Sequence, residues 1–507
     1  MGATQRFSLR DVVAGASVAL VLVPQSVAYA ELAGLPPHVG LYAGALPPIA
    51  AAFFASSPYL QTGPGAPTAL LTLGALLPLA ARGTPEYIGL AALLALVVGL
   101  TRLLVGVLRL GSIAFLMSQP VLLAFTTSAA MLILASQVPG ALGVVDAPAG
   151  GVFRQAAWAL THPGAWEGAS VGLALLTLAV VLGARRLNPL VPGILIAAAA
   201  GIFWSRTTGY AGPVVGDVPH GLPALSLALP WQALPALVLP GAVIALVGFA
   251  EAASIARTFA AQERRPWDPD REFIGQGLAN VTSAVSGGFP VGGSFARSTI
   301  AHLSGARTRW AGAVTGFLGL AFLPWAGVLS PLPRAVLSAI ILAAIASLVK
   351  VRPLVRLWRQ SRPQAAVAYA TVGLALVMAP RLDQAVLLGI LMSLGVHAWR
   401  EMKPHVEMWE DGDTLHVRPQ GVLWFASAHV LEHAILNILG QDEPPGRVKL
   451  HLGGLGRIDL SGALGLSQLL EDARRAGVEV ELVDVPPHAD RILGSVVGWS
   501  REPAGGS

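Results

Sequence analysis

The sequence contains no cysteine, which excludes disulfides, thiolate metal ligation and a cysteine nucleophile together. Charge is nearly as scarce. Asp, Glu, Lys and Arg supply 12% of the 507 residues, about half the share usual in soluble globular domains. The eleven histidines fall at no metal-ligand spacing, so no metal is expected. Neither GPG at Gly63 nor GGFPVGG at Gly287 sits in a strand-loop-helix unit or is followed by GK[ST], so neither is a nucleotide loop. The chain also lacks a G-x-S-x-G nucleophile motif. No enzyme and no resident cofactor are expected.

What the chain has instead is apolar length. Hydrophobic residues make up 54% of it and the mean hydropathy is +0.65, the composition of an α-helical polytopic membrane protein. A pI near 9.9 could suggest nucleic acid. The basic residues lie between apolar runs, however, as loop charges that orient membrane spans do. Met1 to Arg10 leads into the first apolar run without a small-residue cleavage site, so that span is expected to double as the insertion signal.

With about twenty apolar residues per span, membrane segments are expected at 11–33, 39–57, 61–81, 86–108, 112–135, 168–185, 188–205, 233–260, 271–288, 291–305, 309–330, 332–349, 363–380 and 382–399. These make about fourteen segments in two inverted repeats of seven, 11–205 and 233–399, whose opening spans share ALVLVP at Ala19 to Pro24 and ALVLP at Ala236 to Pro240. With a cytoplasmic N-terminus, the inner loops would receive Arg102, Arg109, Arg185, Arg186, Arg264, Arg265, Arg271, Arg307, Arg309 and the run Lys350 to Arg362. That bias predicts both termini in the cytoplasm of an inner (plasma) membrane protein.

The third segment of each repeat is interrupted. Gln61 to Thr72, QTGPGAPTALLT, and Gly287 to Ser304, GGFPVGGSFARSTIAHLS, place Gly and Pro inside apolar sequence and then turn helical. Broken backbone at membrane depth must face protein or a water-filled cavity, and the freed amides of a half-helix start attract anions. The amides around Ala66, Pro67, Thr68, Gly293, Ser294, Phe295 and Ala296 are therefore expected to bind substrate, with Arg297 adding a cation in the second first turn. Thr68, Ser294 and Ser298 offer hydroxyls there or serve only as caps and packing groups. The pattern reads as an anion transporter.

Between Val12 and His397, Glu31 and Glu251 read as the two carboxylates deep in apolar runs. Glu31 follows Gln25 and Tyr29, which share a helix face. It is either the proton-coupling group or a carboxylate meeting water at the helix end. Glu251, among small residues, either organises the site near Arg297 or makes a structural helix-helix bond. Gln276 and Asn280 read as interhelical glue.

After His397 charges become frequent, and strands at Thr414 to Arg418, Val448 to Leu452 and Val478 to Val483 alternate with helices at Ala428 to Leu439 and Ser461 to Ala476. This predicts a cytoplasmic α/β domain of about 95 residues, 401–500, after a membrane domain of 1–400. In IDLSG, Asp459 or Ser461 is the helix cap, and Ser461 is also a candidate regulatory phosphosite or nucleotide-sensing position. The tail 501–507 is expected to be disordered.

VPQSVAYAELAGLPPHVGLYAGALPP at Val23 to Pro48 resembles the signature of the SulP anion transporters, solute carrier family 26 in animals. TGPGAPTALL at Thr62, IGQGLANVTSAVSGGFPVGGSFARSTI at Ile274, and RIDLSG in a C-terminal domain similar to STAS domains resemble the family's later landmarks. The resemblance implies core and gate domains that move against each other, and secondary transport of sulfate, chloride, bicarbonate or dicarboxylates, often with protons. It also implies a homodimer. By position, Gln25 and Tyr29 match site-lining residues of the first span, Arg297 the arginine of the tenth segment, and Glu251 the glutamate of the eighth. Ala296 stands where many animal members have serine. Glu31, absent from some branches, implies symport of a small anion with protons, the alternatives being uncoupled exchange, a channel or an anion sensor.

Overall fold

The computed structural model describes residues 7–115, 117–402, 405–424, 427, 429–431, 433, 435 and 445–497. Two compact units divide the chain, Met1–Leu391 and Met392–Ser507.

The first half of the helical region runs α1 (Leu9–Leu32), α2 (Pro37–Phe54), β1 (Thr62–Gly63), α3 (Ala66–Leu76), α4 (Pro85–Val107), α5 (Gln119–Ala141), α6 (Val152–Thr161), α7 (Gly168–Leu187) and α8 (Gly193–Thr208). The second runs α9 (Leu234–Gln262), α10 (Pro269–Val285), β2 (Gly292–Gly293), α11 (Phe295–Leu303), α12 (Trp310–Phe322), α13 (Arg334–Ile345), α14 (Val351–Gln360), α15 (Arg362–Val377) and α16 (Leu382–Glu401). Among the described residues, eight helices are long and apolar enough to cross a bilayer. At 11 and 9 residues, α3 and α11 cannot span alone. Each is a half-helix preceded by a strand.

The packing repeats under exchange of the halves. With α1 matched to α9 and so on, α2 lies on α12 as α10 lies on α4, α1 meets α11 as α9 meets α3, and α5 packs on α15 as α13 packs on α7. This is the inverted repeat. One bundle comprises α1–α4 and α9–α12, and the other α5, α7, α8, α13 and α15. Thinner seams join them where α1 meets α8 and α13 and where α3 meets α5. In the first bundle α4 and α10 touch backbone to backbone, since a Cβ on Gly99 would lie 2.7 Å from Val281 N and one on Gly277 3.0 Å from Gly99 O. Small residues permit that approach.

The structure differs from the expected segmentation in identifiable places. The segment expected at 112–135 starts at Gln119, because Gly111–Phe115 is a 3-10 turn and Pro120 enters at the first helical turn, where its missing N–H costs nothing. Two amphipathic helices, α6 and α14, connect spans and lack the apolar length of a crossing. In α14 the arginines 352, 356 and 359 share one side while Leu354 is buried, so a charged run read as loop is a helix. Arg102 is no loop charge either. It is fully buried within α4.

In the second unit, His405–Asp411 pairs antiparallel with Thr414–Leu423, which pairs parallel with Arg447–His451, and that strand with Glu479–Val483. Leu455–Ile458 pairs parallel with the far end of Thr414–Leu423. The apolar residues Leu415, Val417, Val448 and Leu450 face the helix Leu460–Arg475 through Leu466 and Leu470 in one core. Much of the helix expected at Ala428 to Leu439, like the tail 501–507, lies outside the described residues. Asp459 caps the helix Leu460–Arg475, accepting from Gly462 N–H at 2.7 Å, while Ser461 is exposed in its first turn. Asp459→Ala is expected to weaken that helix by about 1 kcal/mol, read as faster amide exchange over its first turn in the full chain.

Candidate functional site

The two interrupted stretches form one antiparallel ladder, Thr62 against Gly293 and Gly63 against Gly292. Ser294 N–H extends it, donating to Gln61 O at 3.1 Å. Both half-helices start within three residues of this ladder, so their electropositive ends are drawn to one place. At α3 the cap is Gly65, and Pro67 removes a donor, leaving the N–H groups of Ala66 and Thr68 without a described protein partner. At α11 Ser294 caps through its Oγ, which accepts from Arg297 N–H, leaving Phe295 and Ala296 N–H. The two ends differ in access: Ala66 and Thr68 are buried, whereas Phe295 and Ala296 are exposed.

Side chains from α10 hold the ladder. Asn280 closes a two-way amide bond with Val291, donating to its O at 3.0 Å and accepting from its N–H at 2.9 Å. One turn earlier, Gln276 donates to Thr62 Oγ1 at 2.7 Å. A further turn back, Glu272 is fully buried and receives Ser56 N–H, Ser57 N–H and Trp267 Nε1–H. The polar positions 272, 276 and 280 lie four apart on one helix face, a stripe in an otherwise apolar segment that could have marked Glu272 in sequence. Asp11, Glu272 and Asp383 are thus buried carboxylates, while Glu251 is half-buried. The Ser298 hydroxyl is a support group and accepts from Gln61 N–H at 2.9 Å.

Arg297 is fully buried beside the ladder and donates from Nη1 to Gln25 Oε1 at 3.3 Å. Its Nε and Nη2 have no hydrogen-bond partner. A guanidinium keeps its charge in any protein environment and carries five donors, and leaving such donors dry is costly. Two unmet donors beside half-helix amides are what an incoming oxyanion would satisfy. Gly63 permits the approach. Its φ of +153° suits glycine, and a Cβ there would lie 3.3 Å from Arg297 Nη2. Tyr29 and Glu251 lie within electrostatic reach of Arg297. Among the described residues, however, Glu251 forms no contact ion pair with Arg297, so it biases the charge of the pocket without closing it.

Glu31 is elsewhere. It was expected deep in the first span, but it is the penultimate residue of α1, partly exposed and 3.8 Å from Arg334 Nε of α13. Six residues beyond Gln25, it is displaced about 9 Å along the helix. It lines a cleft of about 860 Å³ between α1, α3, α5, α13 and α15. A second cleft of about 480 Å³ runs from Met117 to Leu122 at the start of α5 and along Ala250 to Ala261 of α9. The start of α5 borders one cleft and its end the other, so they open at opposite ends of that helix.

Sequence reasoning missed a buried arginine that adjoins the ladder. Arg102 of α4 donates from Nη1 to Val291 O at 2.9 Å, from Nε to Ala245 O at 3.1 Å and from Nη2 to Ile244 O at 3.4 Å.

Half-helices meeting tip to tip inside an inverted repeat, with a cation beside them, define a membrane transporter of anions. The chain belongs to the sulfate permease family, whose profile matches residues 9–371, and a STAS domain profile matches 405–495. It is a transporter and not an enzyme. A "Probable sulfate transporter" of Mycobacterium tuberculosis is 31% identical over 94% of this chain and 89% of its own length. The "Sodium-independent sulfate anion transporter" of Bos taurus is 28% identical over 95% of this chain and 85% of its own. The solved murine Solute Carrier 26 family member A9 anion transporter, in its inward-facing state, shares the fold with a TM-score of 0.89, 20% identity, 97% of this chain and 88% of that one.

Proposed function

We propose that this protein imports a small oxyanion, sulfate first among the candidates, by alternating access coupled to protons. The observation that carries the reading is Arg297, buried beside two paired half-helix starts with guanidinium donors unmet. The names of the curated relatives favour sulfate over bicarbonate or a dicarboxylate. Two clefts at opposite ends of α5, and seams between the bundles thinner than the packing within them, suit displacement of one bundle against the other. The site is read as Gln25, Tyr29, Ala66, Pro67, Thr68 and Gly293 to Arg297, with Glu251 as its organiser. The distribution of Arg and Lys favours cytoplasmic termini in a plasma membrane.

An anion entering against an inside-negative potential meets about 2.3 kcal/mol per charge per 100 mV, which accompanying protons offset. Glu31 is the proposed proton carrier. It links α1 to α13 through Arg334 at the mouth of the larger cleft, so taking up a proton there weakens a tie between the two bundles. Its pairing with Arg334 instead of the Arg297 site also favours a second reading, uncoupled exchange. Uptake of labelled sulfate, bicarbonate and dicarboxylates into proteoliposomes, with and without an inward proton gradient, decides between them. Glu31→Gln is expected to remove at least tenfold stimulation by the gradient while leaving sulfate binding unchanged. Gradient-driven uptake at the unmutated rate would end the coupling role, and flux of none of these anions would end the transport reading.

A further inference from the structure

Arg102 and Arg297 are the largest fully buried side chains of the helical unit, and the reading above uses only one of them. We propose that Arg102 is a second fixed positive charge behind the anion, setting a preference for doubly charged over singly charged oxyanions. The inference rests on the anion-transport reading and deepens it.

Arg102 reaches the ladder through the residue that leads into β2. Val291, whose carbonyl it holds, immediately precedes β2. A Cβ placed on Gly248 would lie 2.6 Å from Arg102 Nη2 and 3.2 Å from Thr68 Cγ2, so the guanidinium extends to the first turn of α3. Arg297 lies against Gly63 of β1. Two guanidinium groups thus border the ladder, one at β1 and one at the residue before β2.

The partners of Arg102 are carbonyls, which orient the charge without cancelling it. Among the described residues no carboxylate forms an ion pair with Arg102, whereas Arg297 lies within electrostatic reach of Glu251. Counting side chains alone, two guanidiniums against Glu251 leave one positive charge when that carboxyl is ionised and two when it is protonated. The two half-helix ends add about half a charge each. The sum, two positive charges or more, suits a dianion better than a monoanion. Such charges act over longer range in dry surroundings than in water.

A purely structural tie would not need a cation. In the other half, α12 meets Gln61, the residue before β1, with the neutral hydroxyl of Thr315 at 3.3 Å from Oε1. The corresponding helix thus reaches the residue before its strand with a neutral hydroxyl and only through a side chain, whereas α4 holds the backbone before β2 with a permanent charge.

The test is calorimetric binding of sulfate and of chloride to the purified full chain at one pH. Wild type is expected to favour sulfate. Arg102→Gln should lose about tenfold in sulfate affinity, equivalent to about 1.4 kcal/mol, with chloride changed less than threefold. Arg102→Lys, which keeps the charge but not the three-carbonyl fork, should retain the sulfate-to-chloride ratio. An unchanged ratio in folded Arg102→Gln, or equal loss of both anions, overturns the proposal. Should the glutamine variant not fold, the lysine variant decides: a retained ratio supports the role of charge and a collapsed one refutes it. Wild type that binds neither anion overturns the transport reading, and this inference with it.

Discussion

Arg297→Gln is expected to reduce sulfate binding at least thirtyfold and to abolish uptake. The guanidinium has one described side-chain bond, to Gln25, and two donor atoms with no partner among the described residues. Truncating one partner of a buried, hydrogen-bonded charge pair costs about 2–5 kcal/mol, which spans roughly thirtyfold to several thousandfold in affinity. The same substitution leaves Glu251 without the cation it faces, which deepens the loss for any anion. Stability without anion should change little, since of the removed donors only Nη1 has a described partner, at 3.3 Å. The diagnostic is therefore the anion-dependent rise in melting temperature, which follows binding by mass action and should vanish in the variant. Sulfate binding within threefold of wild type would remove Arg297 from the site.

Gly63→Val is expected to be equally damaging by another route. The φ of +153° excludes a β-branched residue without strain, and a side chain there meets Leu22 at 3.2 Å and Arg297 Nη2 at 3.3 Å. Backbone strain of this kind costs about 1–3 kcal/mol, and relief would pull β1 from Gly292 and Gly293. Both the ladder and the seat of Arg297 are then lost, so sulfate binding should disappear and amide exchange at 292–294 should accelerate. Gly83→Ala provides the contrast. Its φ is +73° but nothing lies within 4 Å of the added carbon, so it should lower stability and leave binding intact. Equal behaviour of the two variants would show that strain alone, without the ladder, accounts for the effect.

The half-helices were readable in sequence because Gly and Pro in apolar runs leave few backbone choices, and Arg297 was readable as a lone cation just after such a break. The pairing of Thr62 with Gly293 was not, since nothing local links residues so far apart in the chain. Arg102 was hidden by arithmetic. It stands seven residues before Arg109, and two arginines at the end of an apolar run look like one loop, yet the helix continues past Arg102 to Val107. Glu272 was hidden by the Asp268-Pro269 turn, which suggests solvent although the following turn is buried. The displacement of Glu31 from Gln25 was available from helical rise alone. Its partner Arg334 was not, because that contact is tertiary.

The contact between Gly99 and Gly277 places two main chains in touch with no side chain between them. Main-chain atoms have no alternative rotamers, so this joint cannot yield by repacking and behaves as a weld. Any displacement of one bundle against the other must then be borne at the borders of α1 with α13 and of α3 with α5.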